Sequence, residues 1–187
     1  AASAAWNMGE CDQMAEYVCR LDDGDENKLG VLGNTAGTVD GSSIGTFFRA
    51  VLLVRRGKYD EAREYVERAS KCLCTEVAAL VLESYERAYR NMVRFQQLSE
   101  LEEVIDYCTL PAEIPVSEGR RALIRNLWRE RIRGAKRKVE VWQALLSVRS
   151  QVLPPTEDVE TWIKFASLCR KSGRISQARS TLTELLQ

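Results

Sequence analysis

The stretch from Val159 to Leu186, VETWIKFASLCRKSGRISQARSTLTELL, decides the fold that the sequence predicts. Trp162, Phe165 and Ala166 return to one side of a helix, because offsets of three and four residues share a helical face. Gly173 predicts the end of that helix, since a residue without a Cβ adopts the left-handed conformation at least cost. A second helix follows, with an expected inner stripe at Ile175, Ala178, Leu182 and Leu185.

The spacing of these residues is close to the tetratricopeptide pattern, in which paired helices stack on their neighbours. A similar arrangement occurs around Gly57, between apolar stripes in residues 46–56 and 59–71, and in truncated form around Gly9. No run alternates apolar and polar residues with a period of two, so no sheet is expected. We therefore predict an all-α fold, an α-solenoid of irregular tetratricopeptide-like helix hairpins.

The predicted organisation treats residues 1–187 as part of one α-solenoid. Residues 22–45 hold six of the eleven glycines and are expected to form a flexible loop. Such a segment buries too little apolar surface to offset the entropy of ordering it. The other segments are a truncated first hairpin at 1–21, middle hairpins at 46–108, a proline-bracketed loop at 109–117 and C-terminal hairpins at 118–187. Within the middle hairpins, separate helices are expected at 75–95 and 98–108.

The composition is typical of a globular chain and excludes several classes of protein. Hydrophobic residues make up 45% of the sequence, and 27 basic residues balance 27 acidic residues, which argues against a general nucleic-acid binder. No apolar run approaches the roughly 18 residues of a membrane span. Six cysteines without a CxxC pair, and no histidine, predict reduced thiols and no zinc site. Because the sequence opens on Ala1 rather than Met, we expect a piece of a longer polypeptide.

The sequence contains no recognisable catalytic constellation. Kinase, nucleotide-binding and hydrolase motifs are missing from it, and the absence of histidine removes the commonest general base. Adjacent carboxylates such as Glu102 and Glu103 are expected on a solvated helix face rather than in acid–base catalysis. We therefore predict that this segment has no catalytic residues of its own.

Positive charge is concentrated in residues 120–138, where nine cations and a single acid give a net charge of +8. Two interpretations remain open: a pocket for a polyanion, or a solvated face that pairs with the acids at 100–106. Lys164 and Lys171 lie seven residues apart, on one face of the next predicted helix. Stacked helices would bring Arg137, Lys164 and Lys171 to one pocket.

Five blocks in order along the chain carry a family resemblance: AAWNMGECDQMAEYV, FFRAVLLVRRGKYDEAREYVERA, ESYERAYRNMV, LSELEEVIDY and VEVWQALLSVRSQVLPPTEDVETWIKFASLCRKSGR. They resemble the FAT domain of the target-of-rapamycin (TOR) serine/threonine protein kinases, which belong to the PI3K-related kinase family. The glycine-rich segment and VLPPTEDVETW are most similar to plant versions. The resemblance spans nearly all of the chain.

The resemblance implies a scaffold segment of a much larger kinase that controls growth in response to nutrients. It implies that the FAT solenoid clamps the kinase domain of the same chain, and that ATP, magnesium and the catalytic residues belong to other parts of the parent. It implies Raptor-type subunits and a second copy of the parent as partners. It also implies a cytoplasmic location, with endomembrane or nuclear association through the parent complex.

The resemblance further implies a site for inositol hexakisphosphate, because related kinases hold this molecule in a basic pocket of the FAT domain. The positions that match are Arg137, Lys164 and Lys171. The alternative to a kinase scaffold is a free-standing tetratricopeptide-like adaptor that binds peptides or polyanions in its groove.

Overall fold

The computed structural model describes Glu16 and residues 43–80, 85–111 and 114–186. These residues form seven α-helices and one short 3-10 helix, and no strand occurs among them, which confirms the predicted all-α fold class. The truncated first hairpin and the glycine-rich segment up to residue 42 lie outside the described residues, apart from Glu16. The helices are α1 (Ser43–Arg55), α2 (Tyr59–Leu80), α3 (Tyr85–Thr109), α4 (Pro115–Gly134), α5 (Val139–Arg149), α6 (Val159–Lys171) and α7 (Ile175–Glu184), with the 3-10 helix at Pro155–Glu157.

The chain divides into two compact units, Ala1–Glu102 and Glu103–Gln187. In the first unit, α1 and α2 form a hairpin around Gly57, whose φ of 73° lies in the left-handed region that favours glycine. Alanines at the contact allow the helices to approach closely, and larger aliphatic residues fill the space around them. The sequence predicts inner stripes at Phe47, Ala50, Val51 and Val54 on the first helix and at Tyr59, Ala62, Val66 and Ala69 on the second. All of these are buried except Tyr59, which is partly exposed, and Phe48 is buried in addition.

The helices of the first unit are longer than the sequence pattern indicated. The second of them, α2, continues past residue 71 to Leu80, because Leu73 extends its apolar stripe by one turn and is fully buried. The expected separate helices at 75–95 and 98–108 are wrong, since α3 is continuous from Tyr85 to Thr109. Neither glycine nor proline interrupts it, and Gln96 donates a 3.0 Å hydrogen bond to Glu100 across the expected break.

The second unit is organised around a core to which four successive helices contribute. Trp142 and Leu146 of α5 pack there with Phe165 of α6, and Trp162 meets the Phe165 ring edge-on at a centroid distance of 5.9 Å. Gly173, with a φ of 78°, ends the α6 segment and turns the chain into α7, as predicted. The other members of the core are Ile132, Val139, Cys169 and Ala178, with Leu168 partly buried against them.

The C-terminal hairpin confirms part of its predicted inner stripe and corrects the rest. Ala178 is buried, but Ile175 is 53% exposed and Leu182 is 44% exposed. Thr181 is buried in their place, and its hydroxyl donates a 3.0 Å hydrogen bond to the carbonyl of Gln177 one turn earlier. This internal bond satisfies the hydroxyl, so the position tolerates burial without an apolar side chain.

Two helix starts also differ from the sequence prediction. Pro115 begins α4 instead of closing the preceding loop, because the first position of a helix needs no N–H donor and suits the fixed φ of proline. Thr156, followed by Glu157 and Asp158, predicts the N-cap of the next helix. Asp158 precedes α6 instead, and its backbone carbonyl accepts the amide of Thr161 at 3.1 Å. None of the helices in the described ranges combines the length and apolar character of a membrane span.

The described cysteines are Cys72, Cys74, Cys108 and Cys169, and all four are free thiols. Cys169 is a core residue, and its burial raises the pKa of the thiol above the ordinary value of 9.0. The sequence predicts that most of the thiols are small core residues, but among these four Cys169 alone is buried, and Cys74 is exposed.

Candidate functional site

The basic segment forms most of α4, and its arginines are held mainly by the protein's own carboxylates. Arg131 donates hydrogen bonds of 2.7 Å to each carboxylate oxygen of Glu103 on α3. Trp128 also donates a 2.7 Å hydrogen bond to Glu103 through its indole nitrogen. Two guanidinium N–H groups and one indole N–H therefore donate to a single carboxylate, whose side chain is only 19% exposed.

The prediction of a solvated helix face at Glu102 and Glu103 is wrong for Glu103. Glu100 is fully buried, and Glu103 is the half-buried partner of Arg131 and Trp128. The exposed Glu102 agrees with the prediction. Helical spacing could have indicated that Glu103 faces the protein. It lies three residues after Glu100 and four before Tyr107, so the three side chains share one face of α3.

A second group of contacts connects the first half of α4 to the end of α3. Arg121 donates a 2.7 Å hydrogen bond to the carbonyl of Leu110, and its guanidinium lies 5.5 Å from the centre of the Tyr107 ring. Arg125 donates to the hydroxyl of Tyr107 at 2.8 Å and to the carboxylate of Glu118 at 2.6 Å. This hydrogen bond from Arg125 holds the pKa of the Glu118 carboxyl below its ordinary value.

The remaining arginines of α4 also have carboxylate partners. Arg129 lies 3.5 Å from the buried Asp158, and two further pairs, Arg120 with Asp106 and Arg133 with Glu130, are more exposed. Pairing with the acids at 100–106 therefore holds for Arg120 and Arg131, whereas the other paired arginines of α4 contact Glu118, Glu130 or Asp158. Four carboxylates from outside residues 120–138 therefore offset about half of the +8 charge, and they are Glu103, Asp106, Glu118 and Asp158.

The three cations of the predicted anion pocket lie outside this network. Arg137 lies in the turn between α4 and α5, and Lys171 is the last residue of α6. Both are exposed, and neither makes an ion pair with another described residue. Lys164 is also exposed and pairs at 2.5 Å with Glu160, one turn earlier on α6. Lys164 and Lys171 share the polar side of α6, about 10 Å apart along its axis, since each residue rises 1.5 Å.

Sequence reasoning did not identify Arg149 as a buried cation. It is 3% exposed, and its guanidinium lies 5.8 Å from the centre of the Trp128 ring. Arg149 ends α5, where a cation interacts favourably with the helix dipole, but this position gave no signal that the side chain would be buried. No cluster of potential metal ligands occurs in the described part of the chain.

Comparison with known proteins places this arrangement in a family. The FAT domain family model matches residues 1–187. The chain is 77% identical over 186 residues to the serine/threonine-protein kinase TOR of Arabidopsis thaliana, and 75% identical over 187 residues to that of Oryza sativa subsp. japonica. It is 39% identical over 187 residues to the serine/threonine-protein kinase mTor of Drosophila melanogaster.

Each of these matches covers 100% of this chain, but only 8% of each plant kinase and 7% of the fly kinase. The chain therefore spans less than a tenth of the length of the curated relatives that it matches. The predicted resemblance is confirmed, including its plant character, because both plant identities are about twice the fly identity. The chain belongs to the FAT domain family, and within it to the FAT domains of TOR serine/threonine protein kinases.

Proposed function

We propose that residues 1–187 act as a structural and regulatory scaffold segment of a TOR-type serine/threonine kinase that controls growth in response to nutrients. The observation that carries this proposal is the FAT family match over the whole chain, together with 77% identity to a TOR kinase. The helix hairpins support it, because paired helices of this kind are the building units of an α-solenoid scaffold. The same match favours this role over that of a free-standing adaptor.

In this proposal the segment clamps the kinase domain of its own parent chain. Other regions of the parent contain the catalytic residues and bind ATP and magnesium. Raptor-type subunits and a second parent copy are the proposed partners, and the cytoplasm is the proposed location, with endomembrane or nuclear association through the complex. Exposed large apolar side chains on α4 support a contact role, since water-facing aliphatic residues on one helix side favour a protein partner. They are Val116, Leu123 and Leu127.

Cross-linking within the intact kinase tests the clamp. Amine-reactive cross-linking followed by mass spectrometry should join lysines of this segment to residues of the kinase domain. Lys171 and Lys58 are exposed and therefore accessible to the reagent. Links confined to residues 1–187, in a sample where the kinase domain cross-links elsewhere, would reject the clamp.

We also propose that Arg137, Lys164 and Lys171 contribute to a pocket for inositol hexakisphosphate. Two of the three cations make no ion pair with another described residue, and the partner of Lys164 is a surface carboxylate that is 67% exposed. A surface pair of this kind contributes little stability, so an incoming phosphate group can replace Glu160 at small cost. Lysine and arginine suit this ligand because they donate charge-assisted hydrogen bonds to phosphate oxygens.

Calorimetry with inositol hexakisphosphate tests the pocket. The variants Arg137→Glu, Lys164→Glu and Lys171→Glu of the intact chain should each weaken binding by about tenfold or more, as expected when a charge-assisted contact is lost. The control is Lys58→Glu, which reverses an exposed lysine that pairs with Glu61 in the first unit. Wild-type affinity in all three pocket variants would reject the site.

A further inference from the structure

A cavity of about 830 Å³ lies between the end of α3 and the first half of α4. It is separate from the residues proposed for inositol hexakisphosphate, and no function described above uses it. Its lining contains three guanidinium groups, two carboxylates, a phenol, a thiol and one aliphatic side chain, from Arg121, Arg125, Arg129, Glu118, Glu157, Tyr107, Cys108 and Val152.

Three guanidinium groups line this cavity in a row. Arg121, Arg125 and Arg129 follow one another at intervals of four residues, so they lie on one side of α4. Their side chains are 18%, 22% and 39% exposed, which leaves them partly desolvated at the cavity wall. Partial desolvation strengthens the attraction of these groups for an anion relative to cations that extend into bulk water.

One carboxylate already occupies the position that an external anion would take. Glu118 is 61% exposed, yet it contacts Arg125 at 2.6 Å and Arg121 at 3.9 Å. A carboxylate that water reaches from outside can rotate away at small cost. Its departure would leave two adjacent guanidinium groups without a carboxylate, while Arg129 stays paired with the buried Asp158.

The hydroxyl of Tyr107 adds a neutral donor to the same wall. It accepts a 2.8 Å hydrogen bond from Arg125, so its own proton is available to an oxygen in the cavity. Arg121 is fixed from behind by its 2.7 Å hydrogen bond to the carbonyl of Leu110. Contacts with Leu110 and Tyr107 position the guanidinium groups of Arg121 and Arg125. These two groups and the Tyr107 hydroxyl together match the several acceptor oxygens of a phosphate monoester.

We propose that this cavity binds a phosphate monoester group, which displaces Glu118 and is held by Arg121, Arg125 and the Tyr107 hydroxyl. A phosphate monoester carries a charge of about −1.5 to −2 near neutral pH, which two guanidinium groups neutralise. The group arrives either on a phosphorylated protein segment or on a small phosphorylated molecule, since both present the same chemistry.

Cys108 provides a local readout in the intact polypeptide. It lines the cavity and is partly accessible, so a bound ligand should slow its alkylation by N-ethylmaleimide. Mass spectrometry of the Cys108 peptide measures the rate, and the exposed Cys74 provides an internal standard whose rate should not change. The probes are a phosphoserine hexapeptide, its unphosphorylated counterpart and free O-phosphoserine. Protection at lower concentrations of the hexapeptide identifies a protein source, and equal protection by O-phosphoserine identifies a small-molecule source.

Variants of opposite expected effect make the test decisive. Arg125→Gln should raise the concentration needed for protection by about tenfold or more, whereas Glu118→Gln should lower it because the internal competitor is gone. Tyr107→Phe, which removes only a hydroxyl, should weaken protection even if Arg125→Gln perturbs the fold. The matched controls are Arg133→Gln and Glu130→Gln, an exposed pair on the same helix.

The inference fails if no phosphorylated probe protects Cys108, or if Arg125→Gln and Glu118→Gln both leave protection at the wild-type level. Arg137→Glu should leave the protection of Cys108 unchanged. Failure here would therefore be distinct from failure of the inositol hexakisphosphate pocket.

Discussion

Arg131 holds Glu103 by two parallel hydrogen bonds of 2.7 Å, and this pair fixes α4 against the end of α3. Trp128 donates to the same carboxylate and stacks on Tyr107 at a centroid distance of 6.3 Å. The basic helix is therefore anchored by one acid, Glu103, which accepts hydrogen bonds from two of its side chains. The integrity of this contact determines where the other arginines of α4 lie.

Replacing Glu103 by glutamine should loosen this anchor. Glu103→Gln keeps the shape but removes the charge and replaces one of the two acceptor oxygens by an NH2 donor, so the three donors of Arg131 and Trp128 share a single neutral acceptor. We expect the free energy of local opening of α4 to fall by about 1–3 kcal/mol. Hydrogen exchange of the α4 amides in the intact chain measures this change. Glu102→Gln, at an exposed neighbouring position, should stay within about 0.5 kcal/mol of the wild type, and a similar loss there would contradict the account.

The close helix contacts at the two hairpins should not tolerate a large side chain. Ala62 is fully buried and Ala178 is 6% exposed. Ala62→Trp or Ala178→Trp should each lower the free energy of opening of its hairpin by about 1–3 kcal/mol through overpacking. Ser180→Trp, on the exposed side of α7, is the control. Unchanged exchange in both alanine variants would show that the hairpin register is wrong.

Two glycines should respond to alanine in opposite directions. Gly173 has a φ of 78°, a conformation in which an alanine is strained, so Gly173→Ala should destabilise the C-terminal hairpin by about 1 kcal/mol. Gly119 lies inside α4, and beyond its chain neighbours and the local helix backbone no atom lies within 4 Å of the position that a Cβ would take. Gly119→Ala should therefore stabilise α4 by about 0.5–1 kcal/mol. Exchange rates that move the same way in both variants would contradict these conformational assignments.

The fold was largely predictable because local signals agree with one another. Gly57 and Gly173 mark turns whose flanking helices bury small residues at matching positions, and both turns have the expected conformation. Periodicity was less informative about which apolar faces are buried. It assigns Leu182 to an apolar face, but it does not show whether another helix packs on that face. Leu182 is in fact 44% exposed.

The arrangement of charge was less predictable than the fold. A sequence of nine cations indicates a strongly positive surface, yet the partners of Arg129 and Arg131 come from residues 29 and 28 positions away in the chain. Only the packing of α4 against α3 and α6 brings those carboxylates close. The roles of Arg137, Lys164 and Lys171 stay a prediction that ligand binding must test.

The pH dependence of the Glu118 contact follows from its pKa. The hydrogen bond from Arg125 holds the pKa of this carboxyl below its ordinary value of 4.5, so the folded state binds the proton less readily than the unfolded state. The stabilisation is fully present above pH 4.5 and is lost as the pH falls through the lower folded value. The carboxyl ¹³C shift of Glu118 in selectively labelled protein should titrate below 4.5, and Arg125→Gln should move the midpoint upward. A wild-type midpoint at or above the ordinary value would contradict the contact.

The most direct test of the scaffold role is the rate of substrate phosphorylation by the intact TOR-type kinase carrying Ala178→Trp. We expect a reduced rate that accompanies faster hydrogen exchange in α6 and α7, while the Ser180→Trp control keeps both at wild-type values. A wild-type phosphorylation rate in Ala178→Trp, despite an opened hairpin, would show that the packing of this segment does not support the kinase.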